Sequence, residues 1–257
     1  MIKYLKKLAQ TNIVIRLRNY IGYKTIKINL KDSMNGHSIS DTFLWRTDNG
    51  YKTIVNYSDI LKQFFQLENS NIKIYIFSNK NQLLKIVDNK NPKNLNRLII
   101  DKLLLNSSEN YGSFFIFHES NEKINDSIRN SCYTGFSKNN NLPSFMHGNL
   151  MGASMPINND TIKKINYGVV GNSLFKNNIY KIQKSFSRYD KIEIVIINPS
   201  IEKIYFDINQ RKGSLDVGQL VIIEVEKSET ITIKSNCFLL RPIAFVYKNK
   251  YMDVFHC

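Results

Sequence analysis

Asn71-Ile-Lys-Ile-Tyr-Ile-Phe77 puts isoleucine at every second position. Strand side chains alternate between faces, so this set lines one side of a β-strand. Ser78-Asn-Lys-Asn81 supplies a turn, and Leu83 to Val87 leads back. The pattern recurs at Lys191-Ile-Glu-Ile-Val-Ile-Ile197, followed by Asn198-Pro-Ser200 and then Ile204 to Ile208. At one constant offset Ile72, Ile74 and Ile76 fall on Ile192, Ile194 and Ile196, and Asn89 falls on Asn209. Leu98-Ile-Ile100 and Leu220-Val-Ile-Ile223 occupy similar places further on.

Each of these segments then reaches a cysteine and a histidine. Arg129 to Asn149 carries Cys132, the polar loop Asn139-Asn140-Asn141, and His147 after Phe145-Met146. The chain closes on Ser235-Asn-Cys237-Phe, an apolar run, and Asp253-Val-Phe-His256-Cys257. The ordered recurrence reads as an internal duplication, with halves near 40–150 and 185–257. It predicts that Ile72–Phe77 and Ile192–Ile197 are equivalent strands, and that His147 and His256 are equivalent positions.

The expected fold is mainly β: two related antiparallel β-sandwich-like repeats, a short helix near 58–66, and a long ordered connection. The expected division is an N-terminal repeat over 1–150, a connecting segment over 151–185 and a C-terminal repeat over 186–257. Ser58 is a candidate N-cap for the helix, whose apolar face is Ile60, Leu61, Phe64 and Phe65. Ile2, Leu5 and Leu8 have helical spacing, and Ile13–Leu17 and Thr25–Leu30 read as strands. Residues 120–185 are rich in Asn and Gly, yet Tyr133, Phe136, Phe145, Met146, Met151 and Met155 mark a segment that covers something.

Composition narrows the functional classes. The 257 residues carry a formal charge of +15, but the lysines are spread along strands and turns without a basic block. That distribution weighs against nucleic acid as a partner, and a nucleic-acid-binding protein using its basic surface stands as an alternative behind the others. No apolar run is long enough for a transmembrane segment, and Met1 to Gln10 has basic residues where a secretory signal needs apolar ones. Three cysteines do not make a disulfide framework, so the thiols read as reduced and the location as cytoplasmic.

No phosphate-binding glycine loop, nucleophile elbow or paired metalloprotease histidines occur. His118, His147 and His256 each end an apolar stretch, where strand ends bring side chains together. Three imidazoles suit zinc with an open position for water. A metal-dependent hydrolase or transferase with a His/Cys site is therefore one alternative, and a Cys132 nucleophile with His118 or His147 is another. The plain reading is that each histidine caps a turn carbonyl. Trp45, flanked by Arg46 and Asp48, is either a sugar-stacking platform or a core tryptophan with charges at its rim. Trp45, Arg46, Tyr133, Asn139, Asn140 and Asn141 form the expected ligand set, near a concave surface. The leading expectation is a non-catalytic β-sandwich binding or accessory protein for a carbohydrate or other small molecule.

Overall fold

The computed structural model describes residues 8, 11–20, 38–122, 128–130, 132–148, 150–154, 166–167, 177–183, 186–200, 202–228, 230–237 and 240–257. Alternation does its expected work, and residues 71–77 and 191–197 both lie in strands. The N-terminal half contains β1 (Ser38–Arg46), β2 (Tyr51–Tyr57), β3 (Ser70–Ser78), β4 (Leu83–Asn89), β5 (Asn96–Ile100) and β6 (Tyr111–Ser120). It continues through β7 (Ile128–Asn130), β8 (Tyr133–Lys138), β9 (Ser144–His147), β10 (Leu150–Ser154) and β11 (Asn166–Tyr167). The C-terminal half contains β12 (Asn178–Gln183), β13 (Lys191–Ile197), β14 (Ile204–Ile208) and β15 (Arg211–Leu215). It ends with β16 (Leu220–Val225), β17 (Thr230–Ser235), β18 (Ile243–Lys248) and β19 (Tyr251–His256).

These strands form four sheets. Sheet I runs β11-β10-β1-β6-β3-β4, with β7 joining β1, and sheet II runs β5-β2-β8-β9. Sheet III runs β16-β13-β18-β19 and sheet IV runs β12-β17-β14-β15. Pairing is antiparallel except between β1 and β7. Taking β1–β6, β8 and β9 in succession against β12–β19 turns the orders β1-β6-β3-β4 and β5-β2-β8-β9 into those of sheets IV and III.

That correspondence corrects the expected strand match. β3 corresponds to β14 and β2 to β13, so Ile72–Phe77 and Ile192–Ile197 hold different places. The reason is physical: alternating isoleucines specify that one face is buried, but not which neighbours the strand has.

Side-chain clusters join the sheets by their faces. Phe43, Trp45, Ile74 and Phe114 of sheet I pack against Val55, Tyr57 and Ile100 of sheet II. Ile192, Ile194 and Val246 of sheet III pack against Phe206, Ile208 and Ile233 of sheet IV. A third cluster joins the halves, with Leu44, Tyr51, Phe136 and Met146 against Val195, Ile197, Phe245 and Val254. β13 is thus buried on both faces, which explains its unbroken Ile-Val-Ile-Ile ending. The mainly β, antiparallel expectation holds, while the expected pair of β-sandwich-like repeats is corrected in that sheet III is also covered by the N-terminal half. Each large side chain fully buried there contributes about 1.5–3 kcal/mol.

β10 continues sheet I beyond residue 150, and β12 already pairs with β17 from Asn178. Ile13–Leu17, expected as a strand, lies in helix α1 (Asn12–Tyr20). A five-residue apolar run satisfies either period. Helix α2 (Ile60–Phe65) is capped by Asp59, whose carboxylate accepts the Lys62 N–H, rather than by Ser58. Helix α3 (Lys102–Leu105) is capped in the same way by Asp101. Ile2, Leu5, Thr25–Leu30 and Met155 lie outside the described residues. No helix among the described residues is long and apolar enough to cross a membrane.

Candidate functional site

Two hairpin turns face each other across a cleft of about 770 Å³. One is the β8–β9 turn, supplying Lys138, Asn139, Asn141, Leu142, Pro143 and Ser144. The other is the β18–β19 turn, with Asn249 and Lys250 between Tyr247 and the Tyr251-Met252 pair. Asparagine serves both turns because its short polar side chain tolerates positive φ. Asn139, Asn140 and Asn249 have φ of 52°, 61° and 54°. Gly50, itself at φ 80°, leaves room for the Asn139 side chain, which lies where a Cβ would stand. Asn139 N–H then donates to the Gly50 carbonyl at 3.0 Å.

The hairpins are bound side by side. Asn141 Nδ2 donates to the Lys250 carbonyl at 3.4 Å, and Ser144 Oγ donates to Asp253 Oδ1 at 2.9 Å. His256 Nε2–H donates to the His147 carbonyl at 2.6 Å. All three pairs are separated by 109 residues in sequence. Phe136 is opposite Ser144 in sheet II, as Val246 is opposite Asp253 in sheet III. Residues at corresponding positions of β9 and β19 therefore touch one another, with the strands running in the same direction.

Behind the cleft sits a charged network that ties the halves together. Arg46 meets Asp48 through Nε at 2.9 Å and Nη2 at 2.6 Å, and meets Glu193 through Nη1 at 2.7 Å. Its guanidinium lies 4.1 Å from the Tyr51 ring centroid and 4.7 Å from that of Phe245. Tyr247 donates to Glu193 Oε2 at 2.6 Å, and the Tyr51 and Tyr247 hydroxyls share a hydrogen bond. Burial alone would raise the Glu193 carboxyl. The Arg46 charge and the bonds from Tyr247, Arg46 and Lys191 outweigh it, and the pKa falls to about 2. Burial pushes Tyr51 up to about 12, against the opposing pull of Arg46. Both groups keep their ordinary protonation near neutrality.

The expected ligand residues divide among these places. Asn139 and Asn141 line the cleft, while Asn140 accepts a bond from Lys52 Nζ at 3.3 Å. Arg46 is buried in the network behind Tyr247 rather than on the cleft surface. Trp45 is 0% exposed, its indole N–H donating to the Phe77 carbonyl at 2.8 Å, so the stacking-platform reading is corrected to the core one. The physical reason is strand parity, which turns Trp45 and Phe43 together into the sheet I–sheet II core. Tyr133 is 62% exposed on the other face of sheet II, beside Phe145 and away from the cleft lining.

Sequence reasoning missed Tyr247, Asn249, Lys250 and Tyr251. Their signal was Tyr247-Lys-Asn-Lys-Tyr251, a turn flanked by tyrosines that repeats the Lys138-Asn139 chemistry of the first hairpin.

The three histidines do not converge. His118 is buried in β6, its ring nitrogens engaged by Asn130 and, at 2.9 Å, by the Ser58 carbonyl. Burial lowers its pKa. His147 and His256 are neighbours at 5.5 Å between ring centroids. No group of three His, Cys, Asp or Glu side chains among the described residues is arranged to hold a metal ion. That corrects the expected zinc site at His118, His147 and His256. Cys132 is buried and burial pushes its thiol well up, the reverse of an activated nucleophile.

No family model matches the sequence, and no curated protein matches it. Among solved structures, the chain is similar to the apo form of a Pleurotus ostreatus lectin at 10% identity and a TM-score of 0.25. The match covers 91% of this chain and 80% of that one.

Proposed function

We propose that the protein is a non-catalytic carbohydrate-binding protein whose ligand occupies the cleft between the β8–β9 and β18–β19 turns. The observation that carries this reading is the convergence of three asparagines, Asn139, Asn141 and Asn249, with Tyr247 and the 80% exposed Tyr251. A sugar offers hydroxyls, which need paired donors and acceptors, and C–H faces, which pack on aromatic rings. Amide side chains supply both kinds of polar partner, and tyrosine supplies ring and hydroxyl together. Leu142, Pro143 and Met252 add apolar wall. No histidine, cysteine or carboxylate lines the cleft among the described residues, which favours holding a ligand over transforming it. A glycan array tests the reading. Specific signals should be lost in Tyr251→Ala and Asn249→Ala, and signals unchanged in both variants would refute it.

We also propose that the two halves are diverged copies of one eight-stranded unit of two facing sheets. The matching strand orders and the contacts between positions 109 residues apart support this. β7, β10 and β11 are then additions to the first copy. Experimental coordinates in which β1–β6, β8 and β9 fail to superpose on β12–β19 would end it.

A further inference from the structure

We infer that the cleft selects acidic saccharides, those bearing carboxylate or sulfate groups, over neutral ones. This rests on the carbohydrate reading of the same cleft. The cleft is positively charged. Lys138 and Lys250 both line the cleft, and none of its described lining residues is acidic.

The carboxylates nearby bond other groups, Glu193 through cations and Asp190 and Asp253 through neutral donors. Glu193, behind Tyr247, is held by Arg46 at 2.7 Å and by Lys191 at 2.9 Å, and Lys191 also holds Glu224 at 3.0 Å. Asp190 accepts the Asn249 N–H at 2.7 Å, and Asp253 accepts the Ser144 hydroxyl. No carboxylate among the described residues forms an ion pair with Lys138 or Lys250.

Lys138 is also held in place. Its Nζ lies 5.4 Å from the Tyr51 ring centroid and 5.0 Å from that of Tyr247. Ring faces orient an ammonium without neutralising it. A half-buried cation fixed on two tyrosines, with asparagine amides beside it, suits a sugar whose hydroxyls meet the amides while its anion meets Lys138. Lys250, on the opposite turn, offers a second point of charge. A neutral sugar would leave both ammonium groups without a counter-charge.

Calorimetry on the full chain, at low and at moderate salt, tests this with three probes. They are a short oligouronate, the neutral oligosaccharide of the same length, and a single-stranded oligonucleotide of the same charge. The oligouronate should bind tighter than the neutral oligosaccharide by about tenfold or more, with the margin shrinking as salt rises. Lys138→Gln and Lys250→Gln should each narrow that margin, the larger loss falling on the oligouronate. Lys138→Arg, which keeps the charge, should retain much of it and serves if Lys138→Gln fails to fold. Equal binding of the two saccharides would overturn the acidic preference and leave the carbohydrate reading standing. Failure of both to bind would overturn the carbohydrate reading as well. An oligonucleotide that binds as tightly, with the same loss in the lysine variants, would reduce the cleft to a general polyanion site and overturn the inference.

Discussion

His147 and His256 lie with ring centroids 5.5 Å apart at the ends of β9 and β19, the corresponding edge strands of sheets II and III. The His256 N–H donates to the His147 carbonyl, so a side chain of one half caps the last strand of the other.

The seam should be sensitive to acid. Burial, with the charges of Arg241 and His147, lowers the His256 pKa from 6.5 to about 4. Between those values the unfolded chain takes up a proton that the folded chain refuses. Stability should therefore fall as pH drops from about 6.5 to about 4, by on the order of 1 kcal/mol after allowance for partial exposure. Urea midpoints across that range should show a shallower slope for His256→Gln than for the parent. His118, also lowered, should add to the slope, and Glu193, held at about 2, should steepen it below about pH 5. An unchanged slope in the variant would contradict the half-buried, neutral imidazole.

Arg46 is the main polar tie between the halves. Arg46→Ala leaves Glu193 and Asp48 without their shared cation and should cost about 3–5 kcal/mol in urea unfolding, the usual penalty for breaking a buried pair. Glu193→Gln keeps the shape and should cost less. A loss under about 1 kcal/mol for Arg46→Ala would place the pair in solvent.

Trp45 is the chain's one tryptophan and a direct reporter of the core. Its emission should be blue-shifted and resistant to acrylamide, and should not respond to cleft ligands. Trp45→Phe loses the bond to the Phe77 carbonyl and some packing, and should cost about 1–3 kcal/mol without altering ligand affinity. Strong quenching by a saccharide would return Trp45 to the binding surface.

Thiol labelling checks the burial pattern independently. Of Cys132, Cys237 and Cys257, only the last is partly exposed. Native protein should react rapidly at Cys257 alone, and all three should react in denaturant. Fast native labelling of Cys132 would contradict its place in the first core.

The alternation at 71–77 and 191–197 made strands legible, because period two is a property of a strand by itself. Their sheet positions were not, since the order of strands depends on contacts far apart in sequence. His147 and His256 could be read as hairpin ends because each closes a hairpin whose length is local. Trp45 was ambiguous for want of parity: without knowing which face of β1 meets sheet II, a ring beside Arg46 and Asp48 suits both core and surface. Half of the cleft was visible in Asn139–Asn141. The other half, Tyr247 to Tyr251, stayed hidden because nothing local brings two turns so distant in sequence face to face.

The most direct test of carbohydrate binding in the cleft follows side-chain amide resonances during titration with an oligosaccharide chosen from the array. The account predicts progressive, saturable shifts for Asn139, Asn141 and Asn249, with the Trp45 indole resonance unmoved. Shifts confined to the exposed face of sheet II around Tyr133 and Phe145, with the three asparagine amides unchanged, would contradict it.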